Sequence, residues 1–413
     1  MVNKIKYQII KNKKGGIVLA MQHEKRIAVA SKIIIKFAEA WDRVVWIAPS
    51  GYLDTDEYEL LIRKYLKGYF NKVGLYSYDD LSQRSDIYLE LLNAAKTQRV
   101  FGVVDENLFV KNTYSWRTKR VSFLRDFFTF RLLLARNLTS RGLRDIYAQL
   151  NFVSPAILKM TETQFVHQFM PYYEDEFQIS KRWSNRFFDR KVLNLIRPFL
   201  VFCSAWDLSN FDYREIWFEL TPQEKEAYRN DKEMFLRKKD RVCYLQVVQQ
   251  FQYCYTICVK KVDYLRFLLQ QIRDKNEKVI LYTKYLGEVK FLKESGVLKG
   301  SKYVVMCGTT DKQRAIGLFA TECNVMICTY KVDIPRLVLK NCQNLIYFSQ
   351  TFDYKDKLFA MYRLCGNRKH KVRIFDFWVN TKLELMIKDN LLRKRKLLQE
   401  FSQIISENGE CCL

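Results

Sequence analysis

At 413 residues and 48% hydrophobic, the chain is too long for one ordinary core, and its apolar content suits two similar-sized lobes. Lys and Arg number 70 against 45 Asp and Glu, and the formal charge of +25 strains a compact fold unless a polyanion neutralises part of it, so nucleic acid is the partner this balance suggests over a generally basic proteome. Eleven cysteines sit mostly singly inside apolar runs without zinc spacing, and no window of about 20 uncharged apolar residues occurs, so disulfides, a metal site, a signal peptide and a membrane span are all unexpected.

From residue 15 the text alternates apolar runs with amphipathic stretches. GGIVLAM is followed by a helical KRIAVASKIIIKFAEAW, the strand-like VVWIAP and a helical DEYELLIRKYLKGY, and further strands are expected at VGLYSY, RVFGVVDE and FRLLLAR. Continuous β-branched runs separated by helices are what buried parallel strands with crossovers look like. These place a first α/β lobe over residues 1–150. Residues 151–240 turn rich in Phe, Tyr and Trp at helical spacing and are expected as a mainly helical insertion. Over 241–413, KVILYTKY, KYVVMCG, NVMICTY, NLIYFSQ and VRIFDFW predict a second parallel sheet, closed by the amphipathic helix KLELMIKDNLLRKRKLLQEFSQII, expected to pack on that lobe with its lysines in solvent. The predicted fold class is therefore α/β, two parallel-sheet lobes with a mainly helical insertion between them.

Two such lobes describe many proteins, so the order of short motifs must decide. In the first lobe stand GGIVLAMQHEKRIAVAS from Gly15, VVWIAPSGYLDTDEYELLIRKY, VVDENLFVKNTYSWRTKRVSFL and RLLLARNLTSRGLRDIYAQLNFVSP. In the second stand KVILYTKY, GTTDKQRAIGLFA, MICTYKVDIPRLVLKNCQNLIYFSQ and FAMYRLCGNRKHKVRIFDFW. In order and spacing these resemble the motifs of Swi/Snf-type helicases of superfamily two, over about residues 10 to 400. The resemblance implies RecA-like lobes. It also implies that Asp105 holds magnesium through water, that Glu106 orients the attacking water, and that Arg363 is the first arginine of motif VI. By the same resemblance, Ser50, Lys111, Asn112, Lys284 and Thr329 are the expected nucleic-acid contacts.

The nucleotide chemistry departs from that pattern. A phosphate loop needs glycines that let backbone N–H groups approach, a Lys for the terminal phosphates and a hydroxyl for magnesium. Here the loop reads Gln22-His23-Glu24-Lys25-Arg26, leaving Lys25 and Arg26 as degenerate nucleotide-binding residues, with Arg26 in place of the magnesium hydroxyl. Each lost N–H bond to phosphate forfeits roughly 1.5 to 3 kcal/mol. Motif III has become Ala135-Arg136-Asn137-Leu138, motif V carries Val332 for glycine, and the expected arginine finger falls on Cys365 or Gly366 with only a shifted Arg368 nearby. His23, His167 and His370 are scattered and read as structural or surface histidines.

These departures predict a pseudo-ATPase that acts by binding nucleic acid, double-stranded DNA first, or a replication or transcription protein. No cofactor is required on this reading; ATP and magnesium enter only if activity is retained. One alternative is an active ATP-dependent double-stranded-DNA translocase in which Lys25, Asp105, Glu106 and Arg363 suffice. Another is a structural or assembly subunit without DNA binding. The Lys-, Tyr- and Phe-rich style suits a phage or mobile element, hence the cytoplasm of a bacterial host or a virion.

Overall fold

The computed structural model describes residues 14–20, 23–54, 56–139, 143–170, 172–173, 181–182, 186–204, 211–237, 244–330, 332, 339, 341–364 and 371–406. The chain divides into two compact units, Met1–Trp206 with Lys394–Leu413, and Asp207–Arg393. Gln22, Arg368, Cys365, Gly366 and His370, named above, lie outside the described residues.

In the first unit the strands are β1 (Gly15–Ala20), β2 (Arg43–Ala48), β3 (Val73–Ser77), β4 (Val100–Asp105) and β5 (Phe128–Ala135), then a short antiparallel pair, β6 (Tyr172–Tyr173) and β7 (Lys181–Arg182), and β8 (Leu200–Ser204). All but the pair form one six-stranded sheet in the order β3-β2-β4-β5-β1-β8, with every neighbour parallel. The pleat explains why these strands read as unbroken apolar runs. Val45 and Ile47 enter one core with Ile17, Val104 and Leu133, while Val44 and Trp46 enter the other with Val18, Val103 and Leu132. Burial on both faces leaves no solvent side to mark with polar residues. At the start of β1 Gly15 is fixed by space: a Cβ there would collide with the carbonyl oxygen of Val153.

The second unit repeats the plan. Its strands are β9 (Phe211–Phe218), β10 (Val279–Thr283), β11 (Tyr303–Met306), β12 (Val325–Thr329), β13 (Asn344–Tyr347) and β14 (Val372–Val379), arranged β11-β12-β10-β13-β14-β9 and again all parallel. Val279, Leu281 and Ile327 face one core; Ile280, Tyr282 and Met326 face the other. The two parallel sheets with crossover helices are the α/β lobes the sequence predicts.

Residues 151–240 are mainly helical among those described, with helices Glu162–Phe169, Arg186–Ile196 and Pro222–Arg237. They also supply an edge strand to each sheet, β8 beside β1 and β9 beside β14. β9 is hard to read from sequence because FDYREIWF has only β14 as a neighbour and leaves Tyr213, Glu215 and Trp217 exposed on one face and Arg214 on the other. The helix Lys382–Ser406 buries Ile387 and Leu391 against Trp378 near its start. Among the described residues no helix is long and apolar enough to cross a membrane.

Candidate functional site

β4 carries the acidic pair to the carboxyl edge of the first sheet, where open α/β sheets place their ligands. Asp105 is its last residue, and Glu106 follows with φ 60° and ψ 65°, a left-handed conformation that is uncommon for a side chain larger than Asn. The turn is held from both sides. The Glu106 backbone N–H donates to Asp105 Oδ1 at 2.8 Å, and the Tyr78 hydroxyl donates to the Asp105 carbonyl at 2.7 Å. The kink turns the Glu106 carboxylate back toward the interior, where it is 3% exposed and Asp105 is 0% exposed.

Both carboxylates meet protein donors there. On the helix His23–Lys36, which starts just past β1, His23 and Arg26 face inward one turn apart. His23 Nε2 stands 2.8 Å from Asp105 Oδ2, and the Tyr58 hydroxyl donates to the same oxygen at 2.8 Å, itself steadied by Trp46 Nε1 at 2.8 Å. Arg26 Nη2 lies 3.3 Å from Asp105 Oδ1 and 2.6 Å from Glu106 Oε1, while its Nη1 donates to the carbonyl of Ala20 at 3.1 Å. Glu106 Oε1 also accepts from the Tyr52 hydroxyl at 2.6 Å and faces Arg136 Nε at 2.6 Å; Arg136 in turn donates to Tyr52 at 2.6 Å. Rings close the cluster, with the His23 centroid 4.6 Å from Tyr52 and 5.0 Å from Tyr58.

Two guanidinium cations thus stand against two carboxylates in a dry setting. Burial pushes His23 down to about 4, against the pull of Asp105, so its imidazole is neutral at pH 7. Burial alone would raise Asp105, but Arg26, His23 and Tyr58 outweigh it and hold the carboxyl below the usual range. Glu106 is also lowered: burial opposes ionisation, and Arg136 and Arg26 overcome it. Both acids are thus held as carboxylates against the two guanidinium groups. Asp105 Oδ1 is met by the Glu106 N–H and Arg26, and Oδ2 by His23 and Tyr58, so the residue expected to hold magnesium has every lone-pair direction answered from within the protein. The side chains as placed do not fit a magnesium-bound triphosphate. Among the described residues no group of three or more His, Cys, Asp or Glu could hold a metal ion.

The remaining expected residues fall on both units, four in the first and three in the second. Lys25 is half exposed on the same helix as Arg26 and forms no ion pair among the described residues, while Glu24 points outward to Tyr65 at 2.7 Å and Lys64 at 3.1 Å. Ser50 is half buried, its hydroxyl donating to Asp79 Oδ2 at 2.7 Å. Lys111 faces Asp145 at 3.8 Å, and Asn112 is exposed with its side-chain oxygen capping the Tyr114 N–H at 3.1 Å. In the second unit Thr329 ends β12 at 8% exposure. Lys284 follows β10, bonded to Gln252 Oε1 at 2.6 Å with its ammonium 3.4 Å from the centre of the Phe352 ring. Arg363 is 6% exposed, donating to the Tyr282 hydroxyl and to the carbonyl of Val332 at 2.6 Å.

Sequence reasoning did not connect Tyr52, Tyr58 or Arg136 with the acidic pair. Both tyrosines stand at ordinary core spacing in SGYLDTDEYELL, and only the fold shows that their hydroxyls point at carboxylates. Arg136 was visible as a charge directly after a buried strand, a signal that some buried anion must answer it.

No protein-family model matches the chain, and no curated protein matches it. Among solved structures the chain is similar to the Sulfolobus solfataricus SWI2/SNF2 ATPase core in complex with dsDNA, at 15% sequence identity and a TM-score of 0.40, covering 98% of this chain and 91% of that one. Likeness at this level assigns neither an activity nor a partner to this chain.

Proposed function

We propose that the protein is a helicase-fold pseudo-ATPase, one that acts by binding nucleic acid, double-stranded DNA first, or a replication or transcription partner. The observation that carries this reading is the buried Arg26 guanidinium, 2.6 Å from Glu106 and 3.3 Å from Asp105. Arg26 and Arg136 together bring two positive charges to the acidic pair, the charge a divalent cation would bring, so the inherited carboxylates are neutralised without metal or nucleotide. Admitting magnesium and phosphate requires Arg26 to leave. Stripping one partner from a buried ion pair costs about 3 to 5 kcal/mol, which weakens nucleotide binding by about two to four powers of ten.

Calorimetric titration with magnesium-ATP tests the nucleotide half, and no saturable heat is expected at millimolar nucleotide. Saturable binding sinks it and favours the working translocase, with Lys25, Asp105, Glu106 and Arg363 as its machinery. The nucleic-acid half rests on the charge of +25 and on Lys111 and Asn112 at the carboxyl edge of the first sheet, with Ser50, Lys284 and Thr329 as further proposed contacts. Binding that weakens steeply with salt supports it. Its absence leaves the structural-subunit reading.

A further inference from the structure

Two of the most exposed large aromatic side chains among the described residues are neighbours. Tyr114 is 71% and Trp116 70% exposed, both at the turn between the acidic pair and the helix Trp116–Leu124. Exposed rings of this size leave apolar surface in water, and two of them at one turn form a patch open to a ligand. The turn is indeed fixed. Asn112 Oδ1 accepts the Tyr114 N–H at 3.1 Å, the Asn112 carbonyl accepts the Ser115 N–H at 3.1 Å and the Ser115 hydroxyl at 2.9 Å, and Ser115 Oγ caps the helix through the Thr118 N–H at 3.3 Å. The backbone that carries both rings is therefore fixed before anything binds.

The surroundings are cationic. Residues 111–120, KNTYSWRTKR, hold Lys111, Arg117, Lys119 and Arg120 and no acid. The Lys119 ammonium sits 5.4 Å from the Trp116 ring centre, and the Arg144 guanidinium 6.0 Å from that of Tyr114. Asp79, Asp145 and Glu162 engage Arg117, Lys111 and Arg144 in turn. Lys119 and Arg120 meet no carboxylate among the described residues, Arg120 being anchored by the Leu81 carbonyl at 2.7 Å and Ser85 Oγ at 3.1 Å. Asp79 also accepts from Ser50, tying the turn to the short helix Ser50–Leu53 that follows β2. Aromatic faces set among unneutralised cations match a chain with planar bases and anionic phosphates better than they match an apolar protein surface.

We infer that Tyr114 and Trp116 form a stacking platform for unpaired bases of a nucleic-acid strand, with Lys119 and Arg120 on its phosphates. This deepens the nucleic-acid reading above and rests on it. A duplex keeps its bases stacked on one another, so the platform acts on single-stranded or locally opened segments.

The test compares a single-stranded oligonucleotide with the same sequence as a blunt duplex, both read by fluorescence anisotropy against the full chain. Three proteins are needed: wild type, Tyr114→Ala with Trp116→Ala, and Tyr114→Phe with Trp116→Phe. The exposed rings can be removed without opening a core, and matching thermal unfolding confirms that the variants are intact. The alanine pair is expected to lose about 30-fold in single-strand affinity while duplex affinity changes less than about 3-fold, and the phenylalanine pair to stay near wild type. Unchanged single-strand affinity in the alanine pair, with wild type still binding, overturns the platform, leaves the nucleic-acid reading intact and turns the rings into a protein-docking surface. Equal losses on single strand and duplex also overturn it. Wild type binding neither probe overturns the platform and the nucleic-acid reading together.

Discussion

Arg26 Nη2 stands 2.6 Å from Glu106 Oε1, and both side chains are buried. A guanidinium at the first turn of the helix after β1 thus answers an acidic residue held in a left-handed turn after β4. Arg26→Met should destabilise the first unit by about 3 to 5 kcal/mol, because two carboxylates would keep only Arg136 as countercharge. Urea unfolding of single and double variants measures this. Arg26→Met combined with Glu106→Gln should cost clearly less than the sum of the two separate losses.

The His23 imidazole gives the first unit an acid-sensitive stability. Its folded value is about 4 against 6.5 for the free side chain. Between those values the unfolded chain takes up a proton that the folded chain refuses, so stability is present above 6.5 and falls as the pH drops toward 4. The loss from this group is about 3 kcal/mol over that window. The lowered Asp105 adds a loss of the same sign below its ordinary range. His23→Gln, which keeps a donor toward Asp105, should flatten the slope between pH 6.5 and 4; an unchanged slope would remove His23 as its source.

The second unit responds in the opposite direction. Glu384 is 2% exposed, its Oε2 accepting from the Tyr255 hydroxyl at 2.7 Å, and burial raises it from 4.5 to about 7 despite that bond. The folded state keeps this proton where the unfolded state releases it. Stability from the group is therefore full below 4.5 and is lost as the pH rises through 7, by about 3 kcal/mol in all. Glu384→Gln should raise the unfolding temperature at about pH 8 more than at about pH 5, as read by calorimetry.

Salt titrations address Lys111. Removing a phosphate contact lowers the dependence of log affinity on log salt by about one, without altering sequence preference. Lys111→Gln is expected to show that on duplex DNA, while Glu57→Gln, an acid exposed in the helix Asp56–Leu66, should leave the slope unchanged.

The sheets were legible because parallel strands buried on both faces leave unbroken apolar runs, as in VVWIA of β2 and VILYT of β10. β9 was not, since an edge strand with one neighbour leaves Arg214 and Glu215 exposed and so breaks the apolar run. At the candidate site, the acidic pair Asp105 and Glu106 and the charge of Arg26 could be read from the chain. Where Arg26 points could not. A long charged side chain at that position could as well have reached solvent, as Glu24 two residues earlier does. Only the fold brings Tyr52, Tyr58 and Arg136 around the same two carboxylates, from loops and helices far apart in sequence.

The most direct test is ATP hydrolysis by the full chain with magnesium, in the presence and absence of double-stranded DNA, beside Glu106→Gln. An occupied acidic pair predicts turnover at background in both proteins, unchanged by DNA. DNA-stimulated hydrolysis in wild type that Glu106→Gln abolishes would contradict the pseudo-ATPase reading and show that Arg26 yields its place to the nucleotide.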